Sequence, residues 1–289
     1  MEHRRSTTMI YSLLKSCFVP SLLGLSLMAQ ELKPEEPIGI QDNSFLVEEA
    51  YNQEAGVVQH ISTFTRFRQS QDWIYTFTQE WPVGGLKHQF SYTLPWQRIQ
   101  AAPDGRRGAG DIALNYRYQL LGDGDARVAC SPRFSLLLPT GRQDQGRGSG
   151  AVGYQLNLPL SVALGPQVVT HFNIGMTHTP NARNITGDKA NLTAANVGQS
   201  FIWLARPTFN VMLEFAYTRG ESVRGPGQKD PANTFYVSPG LRWAHNFPSG
   251  LQIVPGLAFP IGVGPSRGER AIFFYLSFEH PFGRAKKHS

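Results

Sequence analysis

From Asp111 to Gln119 the side chains alternate without a break, and that period of two constrains this chain more than any other feature. Ile112, Leu114, Tyr116 and Tyr118 fall on one side, with Asp111, Asn115, Arg117 and Gln119 on the other. An extended chain sends successive side chains to opposite faces, so the segment reads as a two-faced strand. A helix would instead repeat its apolar positions at three and four. Three further windows show the same pattern. His88, Phe90, Tyr92, Leu94 and Trp96 oppose Lys87, Gln89, Ser91 and Thr93. Leu156, Leu158, Leu160 and Val162 oppose Gln155, Asn157 and Ser161, and Val211, Leu213 and Phe215 oppose Asn210 and Glu214.

About twelve such segments are predicted, each near the ten residues that a tilted membrane strand requires. They lie near 57–68, 72–82, 86–97, 109–121, 125–139, 150–164, 167–179, 191–205, 207–219, 233–246, 250–263 and 270–282. The connections sort by length. Gly84-Gly85, Gly122-Asp123-Gly124, Gly165-Pro166, Arg206-Pro207 and Pro248-Ser249-Gly250 are tight. The intervening connections are long, except the first, Gln69-Ser70-Gln71. This predicts an all-β fold: a transmembrane antiparallel up-and-down β-barrel with short periplasmic turns and longer extracellular loops. A soluble sandwich would also alternate, but its core face would be closed to polar side chains and its loops would have no reason to sort. Trp73, Trp81, Trp96, Trp203, Trp243, Phe247 and Phe282 fall at strand ends, as interfacial girdles do. No stretch after the first thirty residues is apolar for the roughly 20 residues of a spanning helix, which excludes a helical membrane protein. Strands in lipid leave no backbone group unpaired only if the sheet closes.

The organisation follows. Arg4, Arg5 and Lys15, the apolar run Cys17 to Met28 and the small Ala29 read as an export signal over 1–29. Residues 30–56 are expected as a periplasmic segment or a plug in the lumen, 57–282 as the barrel and 283–289 as a tail. The destination is the cell outer membrane, with lipid, lipopolysaccharide and the barrel-assembly machinery as partners. Cleavage would leave Cys130 alone, so no intramolecular disulfide is expected.

Gly108-Ala109-Gly110-Asp111, Leu138-Pro139-Thr140-Gly141 and the segment Gln41 to His60, with Glu48, Glu49 and Glu54, occur in this order along the chain. Together they resemble the outer-membrane transporters grouped as the meta-pathway phenol-degradation family, over most of the mature chain. The resemblance implies an outer-membrane barrel that passes small, often aromatic, compounds. It implies no catalytic residue.

The inward faces should carry function, since a charge facing lipid costs about 2–4 kcal/mol at mid-membrane. The expected lumen residues are Arg66, Arg68, Glu80, Lys87, Gln89, Asp111, Asn115, Arg117, Arg127, Arg133, Gln155, Asn157, His171, Asn173, Asn210, Glu214, Arg242 and Gln252. They read either as a conduit favouring anionic small molecules or as ion pairs that fill the barrel. The function expected is a channel for small solutes. The alternatives are a non-conducting structural or adhesive barrel and, less favoured, a hydrolase, for which His60, His171, Ser131 and Ser135 form no recognisable motif. No cofactor, metal or catalytic residue is expected. Arg106, Arg107, Arg142, Arg147, Arg183, Arg224, Lys229 and Arg267 sit on the long loops, facing lipopolysaccharide phosphates or solvent. The net charge of +6 is dispersed rather than clustered, which disfavours nucleic acid.

Overall fold

The computed structural model describes residues 39–40, 43–100 and 107–281. The expected export signal, the tail 283–289, Phe282 and Arg106 lie outside the described residues. The strands are β1 (Val57–Phe67), β2 (Trp73–Pro82), β3 (His88–Arg98), β4 (Arg107–Ala109), β5 (Ile112–Tyr118), β6 (Val128–Cys130), β7 (Arg133–Leu138), β8 (Gly153–Gly165) and β9 (Val168–Arg183). They continue as β10 (Lys189–Arg206), β11 (Phe209–Arg219), β12 (Glu221–Gly225), β13 (Gln228–Pro231), β14 (Thr234–Trp243), β15 (His245–Asn246), β16 (Gln252–Ala258), β17 (Ile261–Gly262) and β18 (Ala271–Pro281).

These make twelve staves of one closed antiparallel barrel. Four staves are broken in two: β4 with β5, β6 with β7, β14 with β15, and β16 with β17. Breaks fall at Pro132 and Pro260, residues with no N–H to give the ladder. The hairpin β12–β13 stands apart from the barrel sheet, within a connection expected to be a plain loop. Closure is made by β1 and β18, which pair in unbroken register from Val57↔Pro281 to Phe67↔Ala271. No sheet edge is left unpaired there, as a bilayer demands.

The polarity of the wall is the reverse of a soluble protein. Leu158, Ile174, Val197 and Tyr217 form one row across four staves and are 44%, 50%, 41% and 39% exposed. Ser161, His171, Ser200, Glu214 and Ser238 form another row on the opposite face, all buried. Apolar side chains therefore face outward and polar ones inward, which suits a wall bathed in lipid and enclosing water. Trp96, Trp203, Trp243 and Phe247 are exposed on the outer side of the staves, where a membrane interface meets the barrel.

Candidate functional site

The interior is occupied by the chain itself. Asn43 to Gln53 runs along the inner wall without joining the sheet, so its amides need partners from side chains. The wall supplies them stave by stave. Glu214 Oε1 on β11 accepts from the amides of Phe45 (3.0 Å), Leu46 (2.8 Å) and Val47 (3.1 Å). Asn173 Oδ1 on β9 accepts from Glu48 N (2.7 Å), and its Nδ2 donates back to Glu48 O (2.8 Å). Ser161 Oγ on β8 accepts from Ala50 N (2.7 Å). Gln119 and Gln89 accept from the amides of Asn52 (2.8 Å) and Gln53 (2.6 Å).

Two arginines clamp the carboxylates of the segment. Arg133 reaches Glu48 with both Nε (2.9 Å to Oε2) and Nη2, and is itself held by Asn115, Ser135 and Gln155. Arg117 lies 3.5 Å from Glu48 and 3.4 Å from Glu49, and donates to Tyr51 O (3.0 Å). Glu48 is ringed by wall atoms but keeps 29% of its side chain open to the lumen. Burial pushes its carboxyl up, yet the Arg133 and Arg117 guanidiniums, with hydrogen bonds from Arg133 and Asn157, outweigh that and hold it below the usual carboxylate range.

An apolar anchor completes the attachment. Phe45 packs on Phe273 and Tyr275 of β18, with ring centroids 5.1 Å and 5.2 Å away. The ring lies over Gly240 and Gly256: a Cβ on Gly256 would stand 2.5 Å from the Phe45 ring, and one on Gly240 3.0 Å from it. Glycine inside a strand here marks the close approach of another segment.

Next to this segment, towards the long loops, two cavities of about 380 and 290 Å³ share Leu46, Glu48, Arg133 and Gln155 in their walls. Their remaining lining includes small residues such as Thr63, Thr78, Thr93, Ala113, Ala194 and Ala216. The lumen is thus packed around the segment and roomier beside it.

The sequence motifs meet at the long-loop end. Thr140 Oγ1 donates to Gly110 O and accepts from Ile112 N, both at 3.0 Å. Asp111 accepts from Gly141 N (3.0 Å) and from Ser149 N and Oγ (2.7 Å each). Gln97 Nε2 donates to Arg147 O (3.0 Å), tying the same loop to β3. The glycines have a steric role, since a Cβ on Gly141 would collide with the Arg147 carbonyl and one on Gly148 with the Asp111 carboxylate.

Most of the expected lumen residues converge on one inward surface. Glu80, Gln89, Asn115, Arg117, Arg133 and Gln155 stand in or beside the arginine clamp, and Gln89 Nε2 donates to Glu80 (2.9 Å). Asn157, His171, Asn173, Asn210, Glu214, Arg242 and Gln252 are buried on the same inner wall. Five stand elsewhere. Arg66 shares its face with Ser62 and Phe64, opposite Thr63, and its guanidinium bonds Gln71 at the rim (2.8 Å to the carbonyl). Arg68 lies past the end of β1, where its amide donates to Arg270 O (2.7 Å). Lys87 and Arg127 are exposed in turns before β3 and β6, where no wall encloses them. Asp111 organises the mouth loop rather than the clamp. Gln119 and Ser161 lie on the polar faces expected of their strands but outside the expected lumen set, and sequence reasoning missed Gln59 and Ser200, although they pair across the sheet with Glu80 and with His171 and Glu214.

Residues 39–266 match the family described as "Putative MetA-pathway of phenol degradation". The chain belongs to this family. Its fold is that of an outer-membrane channel from Pseudomonas putida F1, with a TM-score of 0.61 at 13% identity, covering 81% of this chain and 98% of that one. The NanC porin aligns with a TM-score of 0.52 at 8% identity, over 78% of this chain and 100% of that one. No curated protein matches the chain in sequence.

Proposed function

We propose that the chain is an outer-membrane channel for small solutes, with Asn43 to Gln53 as a plug that sets how wide the passage is. The observation that carries this reading is a polar inner wall that holds an irregular segment through side chains alone, beside water-sized free space. A segment held without a backbone ladder can be released without breaking the barrel. Release of the segment would free the wall guanidiniums of Arg117 and Arg133 from Glu48 and Glu49, and these favour aromatic or other small molecules that carry negative charge. The solved structures of similar fold named above are a channel and a porin, which supports the same reading. An N-terminal signal over 1–29 would export the chain, and the barrel-assembly machinery would insert it. Lipopolysaccharide would meet the loop cations.

Purified, folded protein in planar bilayers tests this. Ion current, and flux of small solutes into liposomes, are expected; a correctly folded barrel giving neither overturns it. The filled lumen supports the second reading, a non-conducting barrel, which the same measurement would then favour. Hydrolysis has less support. Ser161 Oγ and His171 Nδ1 are 2.7 Å apart, but the serine already accepts from Ala50 N and both are buried. A lipid- or peptide-cleavage assay is expected to show no turnover.

A further inference from the structure

At the long-loop end, Arg147 is buried with 7% of its surface exposed, yet its Nε has no hydrogen-bond partner and it makes no ion pair among the described residues. A buried guanidinium left in this state is costly unless something else neutralises it. The residue lines a cavity of about 570 Å³, a size that suits a small organic ligand. We propose that this cavity is a binding site for a small organic carboxylate, received by Arg147.

The neighbouring groups decide the charge and the shape of the ligand. Two carboxylates line the cavity, and both are already engaged. Asp111 accepts from Gly141 and Ser149, and Glu221 accepts from Thr193 N and the Lys229 ammonium, each at 2.8 Å. Arg183 also lines the cavity and adds a second cation. With Glu221 paired to Lys229, Arg147 and Arg183 outweigh Asp111 and leave the site positive, and the terminal nitrogens of a planar guanidinium match a carboxylate with two parallel hydrogen bonds. Ile185, Leu192 and Val223 give the remaining wall an apolar patch that suits a hydrocarbon or aromatic body. Burial of Arg147 excludes a bulky lipid headgroup from it. Gly108 is what lets the guanidinium lie flat against β4, because a Cβ there would collide with it. The site deepens the channel reading by naming the solute class taken up at the mouth, remote from the Arg117–Arg133 clamp.

Titration calorimetry on the folded full chain in detergent tests it, with benzoate and benzyl alcohol as probes. Benzoate is expected to bind at least about tenfold more tightly than benzyl alcohol, the discrimination one charged hydrogen-bonded pair supplies. Raising salt from about 0.05 to about 0.5 M should weaken benzoate alone. Arg147→Gln should cost benzoate about tenfold and leave benzyl alcohol unchanged, and Arg183→Gln should cost it less. Equal affinity for the two probes, no benzoate binding by folded wild-type protein, or an undiminished benzoate affinity in Arg147→Gln overturns the proposal. Should Arg147→Gln fail to give the heat-modifiable folded form, the salt dependence and Arg183→Gln decide. Binding is read without conduction, so a barrel that passes no current but binds benzoate overturns the channel and leaves this site standing.

Discussion

The Glu214→Gln substitution isolates what holds the inner segment. The side chains have the same shape, and the new amide nitrogen takes the place of Oε2, which has no hydrogen-bond partner, so that the amide oxygen stays under the three N–H groups. What changes is the charge under three amides, those of Phe45, Leu46 and Val47. A hydrogen bond to a charged acceptor contributes about 1.5–3 kcal/mol and one to a neutral acceptor about 0.5–1.5 kcal/mol. Three bonds each weakened by about 1 kcal/mol give at most about 3 kcal/mol, an upper bound because the three share one oxygen. That is up to about a hundredfold in the ratio of released to seated segment. The ladder of β11 with β10 and β14 is untouched, and the buried Arg242, which faces the Glu214 charge, also faces Glu279, so the barrel itself should stay folded. In planar bilayers the variant should show more frequent or longer high-conductance openings than wild type. A folded variant whose current trace matches wild type would refute the claim that the segment limits passage through this anchor.

Acid should release the clamp from the other side. Because the Glu48 carboxyl is held below its ordinary range, its contribution is complete above that range and is lost only as pH falls through the depressed value. Wild type should therefore show a rise in conductance below the ordinary carboxylate range that Glu48→Gln lacks; a variant that keeps this rise speaks against Glu48 as the latch. Gly141→Ala places a methyl group against the Arg147 carbonyl and should cost about 1–3 kcal/mol locally, so trypsin should cut the 140–149 loop faster. An unchanged cleavage rate would show the loop is not locked there. Leu158→Arg puts a charge on the outer face and should lower stability in vesicles by about 2–4 kcal/mol by urea unfolding, whereas a neutral result would deny that this face meets lipid.

Alternation made the wall legible before any coordinates. Leu156 to Val162 and Val211 to Phe215 lie as the period of two requires, since each residue's face follows from its neighbours. What escaped that reading has physical reasons. The staves break where Pro132 and Pro260 withhold an N–H, and β9 and β10 run on to Arg183 and from Lys189, past ends expected at 179 and 191. Arg66 follows the other parity: Gln59, Ile61 and Thr63 turn inward, which sends every even-numbered residue of β1 outward. Lys87, Arg68 and Arg127 have the right composition but lie beyond the strand ends, where facing inward no longer means being enclosed. The inner segment could not be placed from its own residues. Its seat is defined by wall side chains more than a hundred positions away, such as Glu214 for Val47 and Ser161 for Ala50.

The wall reads that segment through main-chain N–H groups, seven of them between Phe45 and Gln53. At Leu46 anchorage and filtering therefore reside in different atoms of one residue. Substitution at Leu46, which borders both cavities, would change what the passage admits while its amide keeps its hold on Glu214. The wall offers the same acceptors to any extended backbone of suitable length. A short peptide that also carries a carboxylate for Arg117 and Arg133 and a ring for the Phe45 seat would compete with the resident segment, and the barrel would then behave as a receptor for extended chain.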